Sequence, residues 1–212
     1  MTDYTGKRVA IVGYGVNNFE LLPYLQERGA KVTVLDMDES LENQLTHVDH
    51  RLGEHYLDNL TDFEILFRTP RLPFLSPQIQ AAQATGVLVT SQTQLFLEEC
   101  PCRVIGVTGT KGKGTTASLI KAMLDVAHLH GEVPGNIYLA GNIGVSPIGL
   151  LDSLSDNDWV ILELSSFQTQ DLKHSPHIAV ILNITQDHLD HHHSLAEYHE
   201  AKRNLVRHQN GD

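Results

Sequence analysis

The chain has 212 residues, enough for one large domain or two small ones with a real core. Apolar residues make up 41% and charged residues 19%, which excludes a disordered chain, and no apolar run approaches the ~20 residues of a membrane span. Twenty-six acidic against 15 basic side chains leave a formal charge of -11, which excludes a general nucleic-acid or acidic-membrane surface. Any phosphate ligand must be held by local features working against a repulsive average field.

The opening MTDYTGKRVAIVG lacks the layout of a signal peptide, and the pair Cys100 and Cys102, separated by one proline, is poorly placed for a bridge. A reduced, cytoplasmic setting is expected. KRVAIVGYG is a β-branched run ending in glycines; residues 19–28 follow with helical periodicity, and KVTVLD then ends a second strand on Asp36. This is a βαβ unit with parallel strands and a right-handed crossover. Gly13 and Gly15 allow a tight turn and close approach of an anion, and Asp36 stands where a sugar hydroxyl would be accepted. Asn18 occupies the third position of G-x-G-x-x-G, so a dinucleotide fingerprint is incomplete.

EILF and GVLVT bracket the helix candidate SPQIQAAQA, and a boundary is placed near residues 98–101. The pattern then restarts: strand RVIGV, the loop GTKGKGTT, and a helix over 114–128. Further strands are expected at 159–164 and 177–184, near-continuous apolar runs of the kind covered on both faces. The last helix should place Leu195, Tyr198 and Leu205 on one face. The fold class is α/β, with a Rossmann-like parallel-sheet domain over 1–98 and a partial P-loop ATPase domain over 99–212.

The loop carries the sharpest chemistry. The common phosphate loop reads G-x-x-x-x-G-K-[ST]; here Val107 stands five before Gly112, and Gly114 separates Lys113 from Thr115. Gly109 and Gly112 let backbone N–H groups converge on phosphate oxygens, with Thr110 and Lys111 between them, and Lys113 brings a compact charge to the outer phosphates. A hydroxyl from Thr115 or Thr116 can bind magnesium. One residue turns a helix by ~100°, so both cannot face one metal, and the choice stays open. Glu163 ends a buried strand, where a carboxylate needs a charged partner or a metal. Asp187 and His188 end the next one. The run His191, His192, His193 reads as a solvated turn, because consecutive side chains diverge. Lys202 alone reads as a helix-surface lysine.

GTKGKGTT, GNIG, ELSSFQ, DHLDHH and YHEAK, in that order, resemble the Mur ligase family. The likeness covers essentially the whole chain and is nearest to members that add D-glutamate to UDP-N-acetylmuramoyl-L-alanine. It implies an ATP- and Mg2+-dependent cytoplasmic amide ligase of peptidoglycan precursor synthesis, working through an acyl phosphate and monomeric at full length. The first domain would bind the uridine diphosphate through Gly13, Gly15, Val16, Asn17, Asp36 and Met37. The family's Ser-Pro-Gly turn stands here as Thr69, Pro70 and Arg71, with Arg68 or Arg71 as replacement charge. Asn142, Ser165 and Gln168 match substrate contacts, Glu163 and His188 magnesium ligands, and Lys202 the lysine that carbon dioxide carbamylates, which requires burial to depress its pKa. Members are roughly twice this length, so a fragment that keeps the uridine site and does not ligate is expected. A folylpolyglutamate synthase-like ligase, a non-catalytic nucleotide-binding module and, on GYGVNN with Asp36 alone, an NAD-dependent oxidoreductase are the alternatives.

Overall fold

The computed structural model describes residues 3–15, 18–185 and 194–209. They form two compact units divided between Gln92 and Thr93, each with its own parallel sheet.

The first unit has strands β1 (Arg8–Val12), β2 (Lys31–Asp36), β3 (Asp49–Leu52), β4 (Ile65–Arg68) and β5 (Leu88–Thr90), in the order β3-β2-β1-β4-β5, every pair parallel. Helices α1 (Leu21–Glu27) and α2 (Pro77–Ala84) are its crossovers. β1 is the central strand, and its residues 9–12 are wholly buried, because a central parallel strand is covered on both faces. Successive side chains serve opposite faces. In β2, Leu35 joins Ala10, Val12, Leu66 and Ile79, while Val34 packs with Leu41 and Leu45. β3, of sequence DHRL, carried no apolar signal and is an outer strand.

From the last residue of the first unit, α3 (Gln92–Glu99) leads into β6 (Arg103–Thr108), α4 (Lys113–Leu129), β7 (Ile137–Gly141), α5 (Pro147–Leu150), β8 (Trp159–Glu163), α6 (Ser166–Thr169), β9 (Ile178–Ile181) and α7 (Leu195–Arg207) of the second. The strand order is β7-β8-β6-β9, all parallel. β6 and β8 are the buried pair. β9 is shorter than its apolar run suggested and is not covered on both faces: it lies at the sheet edge, with Ile178 and Ile181 exposed. α4 turns Ala117, Ile120 and Leu124 toward Val107 and Ile161, while Leu119, Met123, Val126 and Leu129 on its other side are exposed. α7 buries Tyr198, Ala201, Lys202 and Leu205, the i, i+3, i+4, i+7 spacing of one helical face. Leu195, expected on that face, is exposed. The Cys100 and Cys102 thiols, before β6, lie 3.4 Å apart, and Cys102 is buried.

Candidate functional site

Parallel sheets bind ligands outside the carboxyl ends of their strands, and both units place their singled-out residues there. In the first, a cleft of about 680 Å3 opens beyond β1, β2 and β4. Six residues expected from the sequence line it: Gly13, Gly15, Asp36, Met37, Thr69 and Arg71. Val16 and Asn17 lie outside the described residues.

Asp36 is engaged locally. Its Oδ2 accepts the Tyr14 N–H at 2.6 Å and its Oδ1 the Asp38 N–H at 2.9 Å, so the carboxylate straps the glycine turn to the end of β2. The turn itself is close-packed. Gly13 has φ of +87°, and a Cβ there would lie 2.7 Å from Thr69 Cβ. Asn18, in place of the third glycine, is buried and donates its Nδ2 to the Gly13 carbonyl at 2.7 Å. A side chain thus does the closing that a bare backbone does in a dinucleotide turn.

The floor of the cleft rests on a buried arginine. Arg68 donates Nη1 to the carbonyls of Leu72 (2.6 Å), Thr69 (3.1 Å) and Pro70 (3.4 Å), and its guanidinium lies 5.7 Å from the Phe74 ring centre. It shapes the loop, which leaves Arg71 as the cationic side chain lining the opening. Pro70 is not among the lining residues; its carbonyl is turned onto Arg68. Tyr14 and Tyr56 also line the cleft and carried no sequence signal. Burial raises both phenols above their ordinary pKa, helped at Tyr56 by the Asp36 charge. Both therefore remain protonated donors at neutral pH.

In the second unit the loop of residues 109–112 joins β6 to α4. Gly109 (φ +155°) passes so close to Leu182 that a Cβ would stand 2.7 Å from its Cβ. Gly112 (φ +83°) caps α4 in the left-handed region. The Thr116 N–H makes the first bond back to the Gly112 carbonyl, at 2.9 Å. The N–H groups of Lys113, Gly114 and Thr115 therefore precede the first helical bond, as the leading N–H groups of any helix do. Lys113 folds back, its Nζ 3.0 Å from the Thr110 carbonyl. Lys111 and Thr115 are exposed and Thr116 half-buried.

Two flanks close on this loop. On the β8 side, Val107 pairs in register with Glu163, and Thr108 Oγ1 donates to the Leu164 carbonyl at 2.8 Å. The GNIG turn folds onto the same strand end: Asn142 N–H donates to the Glu163 carbonyl at 2.8 Å, and Ile143 Cδ1 lies 3.5 Å from where a Gly114 Cβ would be. Glu163 is 2% exposed, and among the described residues no hydrogen bond reaches its carboxylate. A buried carboxylate in that state calls for a cation, and Glu163 is suited to one, although among the described residues no group of three His, Cys, Asp or Glu side chains gathers round a common point. Ser165 and Gln168 make a capping box for α6, Gln168 Oε1 accepting from Ser165 N at 2.9 Å and Ser165 Oγ from Gln168 N at 3.3 Å. They hold the turn after Glu163 rigid.

On the other flank, Lys202 is 1% exposed, not a surface lysine. Its Nζ donates to the Gly109 carbonyl at 2.9 Å and reaches Thr108 Oγ1 at 3.4 Å. Thr110 Oγ1 hydrogen-bonds Tyr198 Oη at 2.9 Å and exchanges two bonds with the Thr185 backbone. Tyr198 and Thr185 had no sequence signal as loop supports, because only tertiary packing brings them there. His188, with Asp187 and the His191–His193 run, lies outside the described residues.

Both units have relatives among known proteins. A family model described as "Mur ligase MurD-like, N-terminal domain" matches residues 7–91, and one described as "Mur ligase middle domain" matches 107–212. Curated relatives named UDP-N-acetylmuramoylalanine--D-glutamate ligase include those of Acetivibrio thermocellus (39% identical, over 97% of this chain and 44% of that protein) and Ruminiclostridium cellulolyticum (41%, over 98% and 45%). The chain thus spans less than half the length of these relatives. Among solved structures, the UDP-N-acetylmuramate:L-alanyl-gamma-D-glutamyl-meso-diaminopimelate ligase from Neisseria meningitides superposes with a TM-score of 0.51 over 98% of this chain and 70% of that one. At 21% identity that likeness speaks for the fold alone. With two family domains in sequence and glycine turns at the strand ends of two parallel sheets, the chain belongs to the Mur ligase family.

Proposed function

We propose that this chain carries the uridine-nucleotide site and the ATP phosphate loop of a cytoplasmic ligase that joins D-glutamate to UDP-N-acetylmuramoyl-L-alanine. The observation that carries the proposal is the placement of the loop 109–116 and buried Glu163 at one sheet edge, in a chain whose first unit has a separate cleft.

In this reading the first cleft takes the uridine diphosphate. Tyr14 and Tyr56 offer aromatic faces and phenol donors to the base and sugar. Arg71 supplies the charge for the diphosphate in a chain whose net charge is adverse. Gly13, Gly15 and Met37 line the same cleft, and the family resemblance adds Val16 and Asn17 as contacts. In the second unit, backbone N–H groups of residues 109–115 hold the phosphates of ATP. Lys113 leaves the Thr110 carbonyl to meet the outer phosphates. A magnesium ion held by Glu163, His188 and the hydroxyl of Thr115 or Thr116 would neutralise phosphate charge during transfer. Asn142, Ser165 and Gln168 line the approach of the acceptor.

The substrate's terminal carboxylate attacks the γ-phosphorus, the bond to ADP breaks, and an acyl phosphate forms. The amine of D-glutamate then attacks the acyl carbon, phosphate leaves, and the amine gives up a proton. The chain's contribution to the first step is orientation and charge neutralisation by Lys113. Carbamylation of Lys202, which is buried against the Gly109 carbonyl, would turn a cation into a metal-directed carboxylate.

Calorimetric titration with UDP-N-acetylmuramoyl-L-alanine tests the reading. Saturable binding, competed by UMP and lost in Arg71→Ala with Tyr56→Ala, is expected. Binding of NADH without competition from uridine nucleotides would overturn it.

A further inference from the structure

Both cysteines of the chain, Cys100 and Cys102, stand in one short turn at the end of β6 away from the phosphate loop. The whole of β6, roughly 20 Å of extended chain, separates them from that loop. The pair belongs to neither site.

The turn is held from both sides. The Cys100 N–H donates to the Phe96 carbonyl at 2.9 Å, which fixes it to the last turn of α3. The Val104 N–H donates to His177 Nδ1 at 3.2 Å, which fixes the start of β6. Pro101, between the two cysteines, has a locked φ. The sequence spacing spoke against a bridge, yet the fold brings the two sulfurs to 3.4 Å. A disulfide needs them at about 2.05 Å, so roughly 1.4 Å of further approach separates contact from bond. A modest χ1 rotation in each residue is on that scale.

The two thiols are not equivalent. Cys100 is partly exposed, whereas Cys102 is 2% exposed. A hydrogen bond from Cys102 favours the Cys100 thiolate and holds its pKa below the ordinary thiol value, against the effect of burial. The same bond, burial and the charges of Cys100 and Asp158 push Cys102 up. An accessible thiolate beside a shielded thiol is the arrangement of an attacking and a resolving cysteine.

We propose that Cys100 and Cys102 form a redox site, at which a hydroperoxide oxidises the pair to a disulfide across Pro101. The Cys100 thiolate attacks a peroxide oxygen and the O–O bond breaks. Hydroxide leaves, takes up the proton that the thiol gave, and a sulfenic acid remains on Cys100. The Cys102 sulfur then attacks Cys100 Sγ, the S–O bond breaks, and the departing hydroxide leaves with the Cys102 proton as a second water. Two thiols are oxidised by two electrons and the peroxide is reduced by the same two. A ring closed across a single residue is strained, so a small dithiol reopens it readily. The dithiol is thus the resting form in a reduced compartment, and the disulfide a transient one.

The test is treatment of the whole chain with hydrogen peroxide, followed by thiol counting and mass spectrometry of the peptide that carries both cysteines. The wild type should lose both thiols, the peptide should weigh about 2 Da less, the chain should stay free of intermolecular links, and dithiothreitol should restore it. Cys102→Ala should stop at a sulfenic acid that dimedone labels. Cys100→Ala should react at least about tenfold more slowly, because its remaining thiol is shielded. Survival of both thiols in the wild type, under conditions that oxidise free glutathione, overturns the proposal. So does a product that is sulfinic acid or a cross-linked dimer. Should a variant fail to fold, iodoacetamide labelling of the wild type replaces it. Cys100 should then label at least about tenfold faster than Cys102, and equal rates overturn the assignment of Cys100 as the attacking thiol.

Discussion

The two glycine turns of this chain both follow a buried parallel strand, yet they are finished in opposite ways. The turn after β1 is closed by side chains: Asp36 takes the Tyr14 N–H, Asn18 takes the Gly13 carbonyl, and the helix that follows has only seven residues. The turn after β6 runs directly into a 17-residue helix, and side chains bind its carbonyls rather than its N–H groups: Lys113 on Thr110 and Lys202 on Gly109. A turn whose donors are consumed internally offers a shaped wall to a ligand. One whose carbonyls are covered and whose donors lead a long helix offers a positive end to phosphates. Similar glycine patterns therefore do not imply similar ligands; what decides is which backbone groups the surrounding fold has already taken.

The sharpest way to break this comparison is to add a methyl group to each turn. Gly109→Ala, forced against Leu182, should destabilise the second unit by about 3 kcal/mol and abolish nucleotide binding. Gly15→Ala, with nothing within 4 Å of its Cβ, should cost less than about 0.5 kcal/mol. Urea denaturation of both variants measures the contrast, and equal effects would remove it. Next in size, Asp36→Ala releases the Tyr14 and Asp38 N–H groups together. It should cost about 2 kcal/mol in the first unit and weaken uridine-nucleotide binding, leaving the second unit's midpoint in place. Tyr198→Phe deletes the bond to Thr110 and should cost about 1 kcal/mol, with a looser loop seen as faster amide hydrogen exchange at residues 109–112.

A pH titration sharpens the comparison from another side. Asp158, buried before β8, would have a raised pKa from burial alone. The N–H groups of Asn136 and Ser155 and the Ser155 hydroxyl outweigh this and hold it below the ordinary carboxylate value. The folded state thus binds its proton less readily than the unfolded chain does. The resulting stabilisation is fully present above about pH 4 and is lost as the pH falls through the folded-state pKa. Denaturation midpoints of the second unit should drop at acid pH in the wild type, and less steeply in Asp158→Asn.

Long apolar runs made most of this fold legible. Periodicity located β1, β2, β4, β5, β6 and β8 and the helices α1, α2, α4 and α7, since buried parallel strands must be continuously apolar and surface helices repeat at the helical period. It missed β3, whose DHRL has no apolar face to show, and β7, whose IYLAG runs straight into the GNIG turn. It overstated β9, because an apolar run reads alike at an edge and in the middle of a sheet. In the sites, Gly13, Asp36, Lys113 and Glu163 could be named because chemistry at a strand end depends on residue type and local spacing, and Thr69 only through the family resemblance. Tyr56 and Tyr198 could not, since one acts through a cleft wall and the other through a hydroxyl far along the chain, and Arg68 was legible as a charge but not as the support of a loop.

Local order along the chain was thus enough to set out two α/β units, their glycine turns and the succession of motifs that identifies the family. These depend on short-range periodicity and on residues a few positions apart. Only the tertiary structure decided that Lys202 is buried on the Gly109 carbonyl, that Arg68 is spent on a loop while Arg71 lines the cleft, and that Gly114 has room for the side chain it lacks. Burial, the pairing of distant groups and free space are properties of segments brought together from opposite ends of a domain, and spacing along the chain does not encode them.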